Sequence, residues 1–109
     1  MSSAFVSHVT DLLSGLGRVQ AKRMFGGYGL YCDGMFIAIV LDDVLYLKAD
    51  SGSRAAFVRE KLEQFEYSRK GKRATLSFYR APAEALESPE IARKWGREAL
   101  SAALRSAKK

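Results

Sequence analysis

Several residue types that carry chemistry are nearly missing from this chain. Its 109 residues include one cysteine, one histidine, one tryptophan and two prolines. A lone Cys32 excludes an internal disulfide and a dithiol redox motif, and with His8 as the sole imidazole no set of zinc ligands can be assembled from soft donors. Long hydrophobic runs are also lacking. The longest, Met35 to Leu41, falls far short of the roughly 20 residues needed to cross a bilayer. The opening Met1-Ser2-Ser3-Ala4 has no basic segment of the kind that starts a secretory signal. Together these features lead us to expect a cytoplasmic protein with no membrane association. Acidic residues are the minority charge: 12 Asp and Glu against 18 Lys and Arg give a net charge of +6. That balance suits attraction to nucleic acid or to an acidic protein, and equally suits simple solubility.

What remains is enough for one domain spanning residues 1–109, because 48% of the residues are hydrophobic and that fraction argues against wholesale disorder. Ser2 or Ser3 can cap a first helix, whose inner stripe is Phe5, Val9, Leu12 and Leu16, with Gly15 and Gly17 ending it. A strand-rich stretch starts at Val19 and runs into Arg23-Met24-Phe25-Gly26-Gly27-Tyr28-Gly29-Leu30-Tyr31. Three glycines in one strand require a reason, and a bulged first strand supplies one. Asp33-Gly34 reads as a hairpin turn, Met35 to Leu41 as a central strand, Asp42-Asp43 as the next turn and Val44 to Lys48 as a third strand.

A second helix is expected from about Arg54 to Glu63, with Asp50, Ser51 and Ser53 as candidate caps. Phe65 to Arg69 and Arg73 to Arg80 form a hairpin around Lys70-Gly71. Pro82 stops the second of these strands because it has no N–H to give the ladder. Ala83 to Leu86 can make one helical turn. Ser88-Pro89-Glu90 then starts a last helix running to about Ala107, with Ile91, Trp95, Ala99 and Ala103 as its inner row. The order is α-βββ-α-ββ-α. Hairpin-length links make this a two-layer α+β domain: an antiparallel five-stranded sheet with helices mainly on one face.

The candidates for chemistry are sparse. The glycine run lacks the G-x-G-x-x-G and G-x-x-x-x-G-K-[ST] spacings, and no helix follows it to face a phosphate. A small-molecule pocket near Gly26, Gly27 and Gly29 stays as a minor reading. His8 belongs at a helix boundary and Cys32 reads as a structural thiol. Asp42 and Asp43 sit side by side in a turn, where carboxylates are solvated. No Ser/His/acid constellation stands out, so no enzyme and no cofactor are expected. The strongest binding candidates are Arg69, Lys70, Lys72 and Arg73 around the second hairpin tip, with Tyr67 and Tyr79 nearby. Such cations can meet an acidic protein or track a nucleic-acid backbone with aromatic stacking. A homodimer through a sheet edge is a further option.

The run Met24-Phe25-Gly26-Gly27-Tyr28-Gly29, extended to Arg23 and Tyr31, resembles the start of the TfoX N-terminal domain family, also called TfoX/Sxy. The likeness continues through Leu45-Tyr46-Leu47-Lys48-Ala49, Phe65-Glu66-Tyr67, Lys70-Gly71, Ser77-Phe78-Tyr79-Arg80 with Pro82, and the Trp95 helix. The resemblance implies an α+β fold similar to secretion-chaperone-like folds, and gives the glycine motif a structural role. It also implies a link to regulators of natural competence that act with transcription machinery, and it supplies no catalytic residues. The longer regulators carry a second domain for which this chain has no room, so the expectation is a stand-alone, non-enzymatic protein-interaction module, with direct nucleic-acid binding as the alternative.

Overall fold

The computed structural model describes residues 3–24, 26–69 and 71–107. The first element is helix α1, Ser3–Leu13, followed by a 3-10 turn at Ser14–Leu16. Four strands come next: β1 Val19–Met24, β2 Gly27–Cys32, β3 Met35–Leu41 and β4 Val44–Lys48. Helix α2 covers Arg54–Arg59, strands β5 and β6 cover Gln64–Arg69 and Lys72–Arg80, and a 3-10 turn at Ala83–Leu86 leads into helix α3, Pro89–Ala107. All strand pairs are antiparallel, and the order across the sheet is β1-β2-β3-β4-β6-β5.

The sheet therefore has six strands, not five. The extra strand comes from the glycine run. Gly26 has φ +76°, a left-handed value that glycine adopts without steric cost, and the chain reverses there. Met24 then pairs with Gly27 and Val19 with Cys32. The run is thus a hairpin followed by β2, and it corrects the expectation of one bulged strand. A register shift does occur, but between β2 and β3: Leu30 pairs with Ala38 and Tyr31 with Phe36. Ile37 is the extra residue, and it lets Ile37 and Ala38 both point into the main core.

The two-residue turns follow their sequence signals. Asp33 and Gly34 have φ 50° and 84°, and Asp42 and Asp43 have φ 51° and 59°. Double positive φ matches the twist of tight hairpins, and short polar side chains tolerate it. Helix α2 stops at Arg59, short of Glu63, because Lys61 turns left-handed at φ 58° and the Leu62 N–H donates back to the Phe57 carbonyl at 3.0 Å. Helix α3 has the expected bounds. The Ser88 hydroxyl accepts from the Ile91 N–H at 3.3 Å, so the cap is in place.

Strand alternation divides the apolar residues between two faces. The helix-covered face holds the main core, built from Val9, Leu13, Leu30, Ile37, Val40, Leu47, Phe57, Ala99 and their neighbours. Trp95 packs against it, with its ring centroid 4.9 Å from that of Phe57. Of the residues flanking the inner row of α3, Ala92 is buried while Leu104 is 44% exposed. The opposite face carries a second, smaller cluster. Ile39, Phe65 and Phe78 are buried there under Phe36, Leu41, Tyr46, Tyr67 and Leu76.

Candidate functional site

The basic hairpin is formed by β5 and β6, with Arg69 paired to Lys72 and Ser68 to Arg73. Gly71 closes the turn at φ 78°. Lys70 lies outside the described residues, and only the backbone of Arg69 is described. Lys72 is exposed, and the side chain of Arg73 is 75% exposed while paired with Glu66. An ion pair between such exposed groups adds little stability, but it removes part of the free charge at the tip.

Tyr79 does not belong to this surface. It is 4% exposed and lies on the helix-facing side of β6, opposite Phe78. Its ring stacks on Phe57 at 5.4 Å between centroids, and its hydroxyl accepts from the Arg54 Nε–H at 3.0 Å. A buried phenol needs such a partner, so Tyr79 ties α2 to the sheet. This corrects its placement among the contact residues. Tyr67 faces the other way and packs on Phe65.

The glycine motif resolves into separate structural tasks, apart from Phe25, which lies outside the described residues. Gly26 supplies the turn. At Gly27 an added Cβ would run into the Val40 carbonyl oxygen and approach Leu41. At Gly29 it would come within 2.6 Å of the Met24 Cε and 3.1 Å of the Phe36 ring. Tyr28 faces the main core. Gly27 and Gly29 are therefore filled positions of a strand, and they leave no ligand cradle between them.

The other singled-out side chains take structural contacts. His8 Nε2 sits 2.7 Å from the Leu86 carbonyl oxygen, which accepts, and this joins α1 to the turn before α3. Burial of Cys32 pushes its thiol pKa up, and Asp33 beside it adds to the effect, which keeps the sulfur protonated and unreactive. Sequence reasoning named Asp50 only as a cap, and its role is larger. Its Oδ1 accepts the Gly52 and Ser53 N–H groups at 3.0 Å each. Arg105 then closes on it, Nε to Oδ2 at 2.5 Å and Nη2 to Oδ1 at 2.9 Å. The Arg105 hydrogen bond is the main cause holding the Asp50 carboxyl well below the usual carboxylate range, and the backbone donors add to it. A cavity of about 540 Å³ opens beside this pair, lined by Lys48, Ser51, Ser77 and Ser106 among others. Among the described residues, no helix is long and apolar enough to cross a membrane, and no three His, Cys, Asp or Glu side chains group as metal ligands would.

The domain these elements define is an open six-stranded antiparallel sheet with three helices on one face and a cationic hairpin at one edge. A family model described as the TfoX N-terminal domain matches residues 11–103. The chain belongs to the TfoX N-terminal domain family. It is also similar to Protein Sxy of Escherichia coli (strain K12), at 33% identity over 70 residues, which are 64% of this chain and 34% of that protein. The chain thus spans about a third of the length of that relative.

Proposed function

We propose that this domain is a non-enzymatic interaction module of a transcription-regulator type, working in the cytoplasm and docking an acidic surface of a protein partner through the β5–β6 hairpin. Membership in the TfoX N-terminal family and similarity to Protein Sxy support the regulator type. The observation that carries the docking surface is the exposed hairpin at the sheet edge, where Lys72 and Arg73 stand in solvent beside Arg69 and Lys70 in the sequence. With Tyr79 buried and Tyr67 packed on Phe65, the tip keeps its cations but loses the aromatic neighbours that a nucleic-acid reading of the hairpin asked for. Charge without stacking suits a carboxylate-rich protein surface, which it would steer and orient.

The test is affinity capture from a bacterial lysate, comparing wild type with Lys70→Glu plus Lys72→Glu. Lys72 is exposed at the start of β6, and Lys70 precedes it across Gly71 in the sequence, so folding should be unchanged. A protein recovered by the wild type and lost by the double variant supports the hairpin; recovery by both in equal amount removes it.

A further inference from the structure

The face of the sheet that the helices leave uncovered has a composition of its own. Among the described residues six aromatic side chains belong to it: Tyr31, Phe36, Tyr46 and Tyr67 are half-buried, and Phe65 and Phe78 are buried beneath them. They are mutually packed. Tyr31 stacks on Phe36 at 5.1 Å, Phe36 meets Phe78 at 5.0 Å, Tyr46 meets Phe65 at 4.9 Å and Phe65 meets Tyr67 at 6.0 Å. These residues come from β2, β3, β4, β6 and β5, which are five adjacent strands. At about 4.8 Å per strand spacing the aromatic band is about 19 Å across.

The charges on this face have one sign. Lys22 lies over the Tyr31 ring, its Nζ 4.9 Å from the centroid. Lys48 pairs with Phe78 and Arg80 with Tyr46, so both project on the same side as the rings. Lys72 shares the side of β6 that carries Phe78, and no described strand residue on the face is Asp or Glu. The nearest carboxylates are at the margin. Glu63, just before β5, is 4.0 Å from Arg80, and both side chains are largely exposed. Glu63 and Asp42 push the Tyr46 hydroxyl pKa up only after burial, the larger cause, while Arg80 opposes them.

We propose that this face binds single-stranded DNA. The partly exposed rings of Tyr31, Phe36, Tyr46 and Tyr67 offer stacking to any base, and cations set among them neutralise the backbone that must run alongside. A band about 19 Å wide matches the short end of single-strand sites, about four nucleotides. A duplex cannot present its stacked bases to a flat aromatic surface. A second copy of the chain fits less well, because its Lys22, Lys48 and Arg80 would be brought against the same cations. Apart from the three tyrosine hydroxyls and Gln20, the face has no neutral polar side chain at its strand positions to recognise a ribose hydroxyl, and this favours DNA over RNA. Lys72 shares this side of β6 with Phe78 and extends the face toward the β5–β6 hairpin, whereas Arg73 lies on the other side.

The test uses a fluorescein-labelled 12-mer of thymidylate titrated with the full chain by anisotropy. Comparators are a mixed-sequence duplex of equal length and a 12-mer of uridylate. The single DNA strand should bind most tightly, with a log–log salt slope of about −2 for three phosphate contacts. Tyr31→Leu, which keeps an apolar side chain, should weaken binding about 5- to 100-fold. Lys22→Glu plus Lys48→Glu should abolish it at moderate salt, whereas the hairpin variant Arg73→Glu, on the other side of β6, should leave it within about threefold. If Tyr31→Leu fails to fold, the Lys22→Glu plus Lys48→Glu variant decides alone. Absence of binding at low salt, preference for the duplex or for RNA, or loss only in the hairpin variant would each overturn the assignment. So would a dimer in sedimentation velocity that Lys22→Glu plus Lys48→Glu dissociates.

Discussion

Replacing Gly27 by alanine tests how the strand that the glycine motif opens, β2, pairs with β3. Gly27 starts β2, and its missing side chain faces the backbone of β3, where an added Cβ would overlap the Val40 carbonyl oxygen and crowd Leu41. A carbonyl in a sheet ladder cannot rotate aside as a side chain can. The Tyr28–Val40 pairing must open or the strand must shift. Overpacking a well-filled site costs about 1–3 kcal/mol, and a backbone obstacle puts Gly27→Ala at the top of that range or above it. Gly26→Ala meets no atom within 4 Å but must hold φ +76°, a strain of about 1–2 kcal/mol. Gly29→Ala presses only on the flexible Met24 thioether and the edge of Phe36, and should cost under about 1 kcal/mol after Met24 moves. In a domain of this size each kcal/mol lowers the melting temperature by about 4 °C. The expected losses in thermal melts are therefore about 12 °C or more, about 4–8 °C and under about 4 °C, in that order. If Gly27→Ala melts with the wild type, or if Gly29→Ala is the worst of the three, the pairing of β2 with β3 is wrong.

Other outcomes follow from the core and from Asp50. Trp95 is half-buried against Phe57 and the main cluster, so Trp95→Ala should cost about 3 kcal/mol, the lower end for removal of a large aromatic. An unchanged urea midpoint would take it out of the core. The Asp50 carboxyl is held below its usual range by Arg105 and two backbone N–H groups, so the native state favours its ionised form. The stability this contributes is fully present above the unfolded-state value of about 4 and is lost as pH falls below it. Asp50→Asn keeps an acceptor for the Gly52 and Ser53 N–H groups but gives up the charge facing Arg105. Its stability should be lower than wild type at pH 7, with the gap narrowing below about pH 4 in chemical denaturation. A gap that stays constant down to pH 2 would contradict this role.

The legible parts of the fold were those fixed by local chemistry. Ser88-Pro89 marked the start of α3 because a capping hydroxyl and a preset φ act within one turn. Asp33-Gly34 marked a hairpin for the same kind of reason. The turn at Gly26 was missed because one positive φ splits a run that reads as extended chain, with alternation from Val19 before it and Tyr28, Leu30 and Tyr31 after it. The bulge at Ile37 was missed because it depends on pairing between strands. The binding surfaces were legible in uneven measure. The hairpin cations could be read directly from Arg69 to Arg73. Alternation set Tyr79 opposite Phe78 in β6, but which face the helices cover depends on α2 delivering Phe57 and Arg54 to it. The aromatic face was hidden for a similar reason. Tyr31, Tyr46, Phe65 and Phe78 are spread over almost half the sequence, and they meet because β6 inserts between β4 and β5.

The proposed role as an interaction module depends most on the hairpin. Quantitative affinity capture followed by mass spectrometry, with wild type, Lys70→Glu plus Lys72→Glu, and Lys22→Glu plus Lys48→Glu run in parallel, addresses it directly. The wild type and the sheet-face variant should retain a protein that the hairpin variant loses, with all three melting alike. A partner retained by every variant, or lost only with the sheet-face pair, would contradict it.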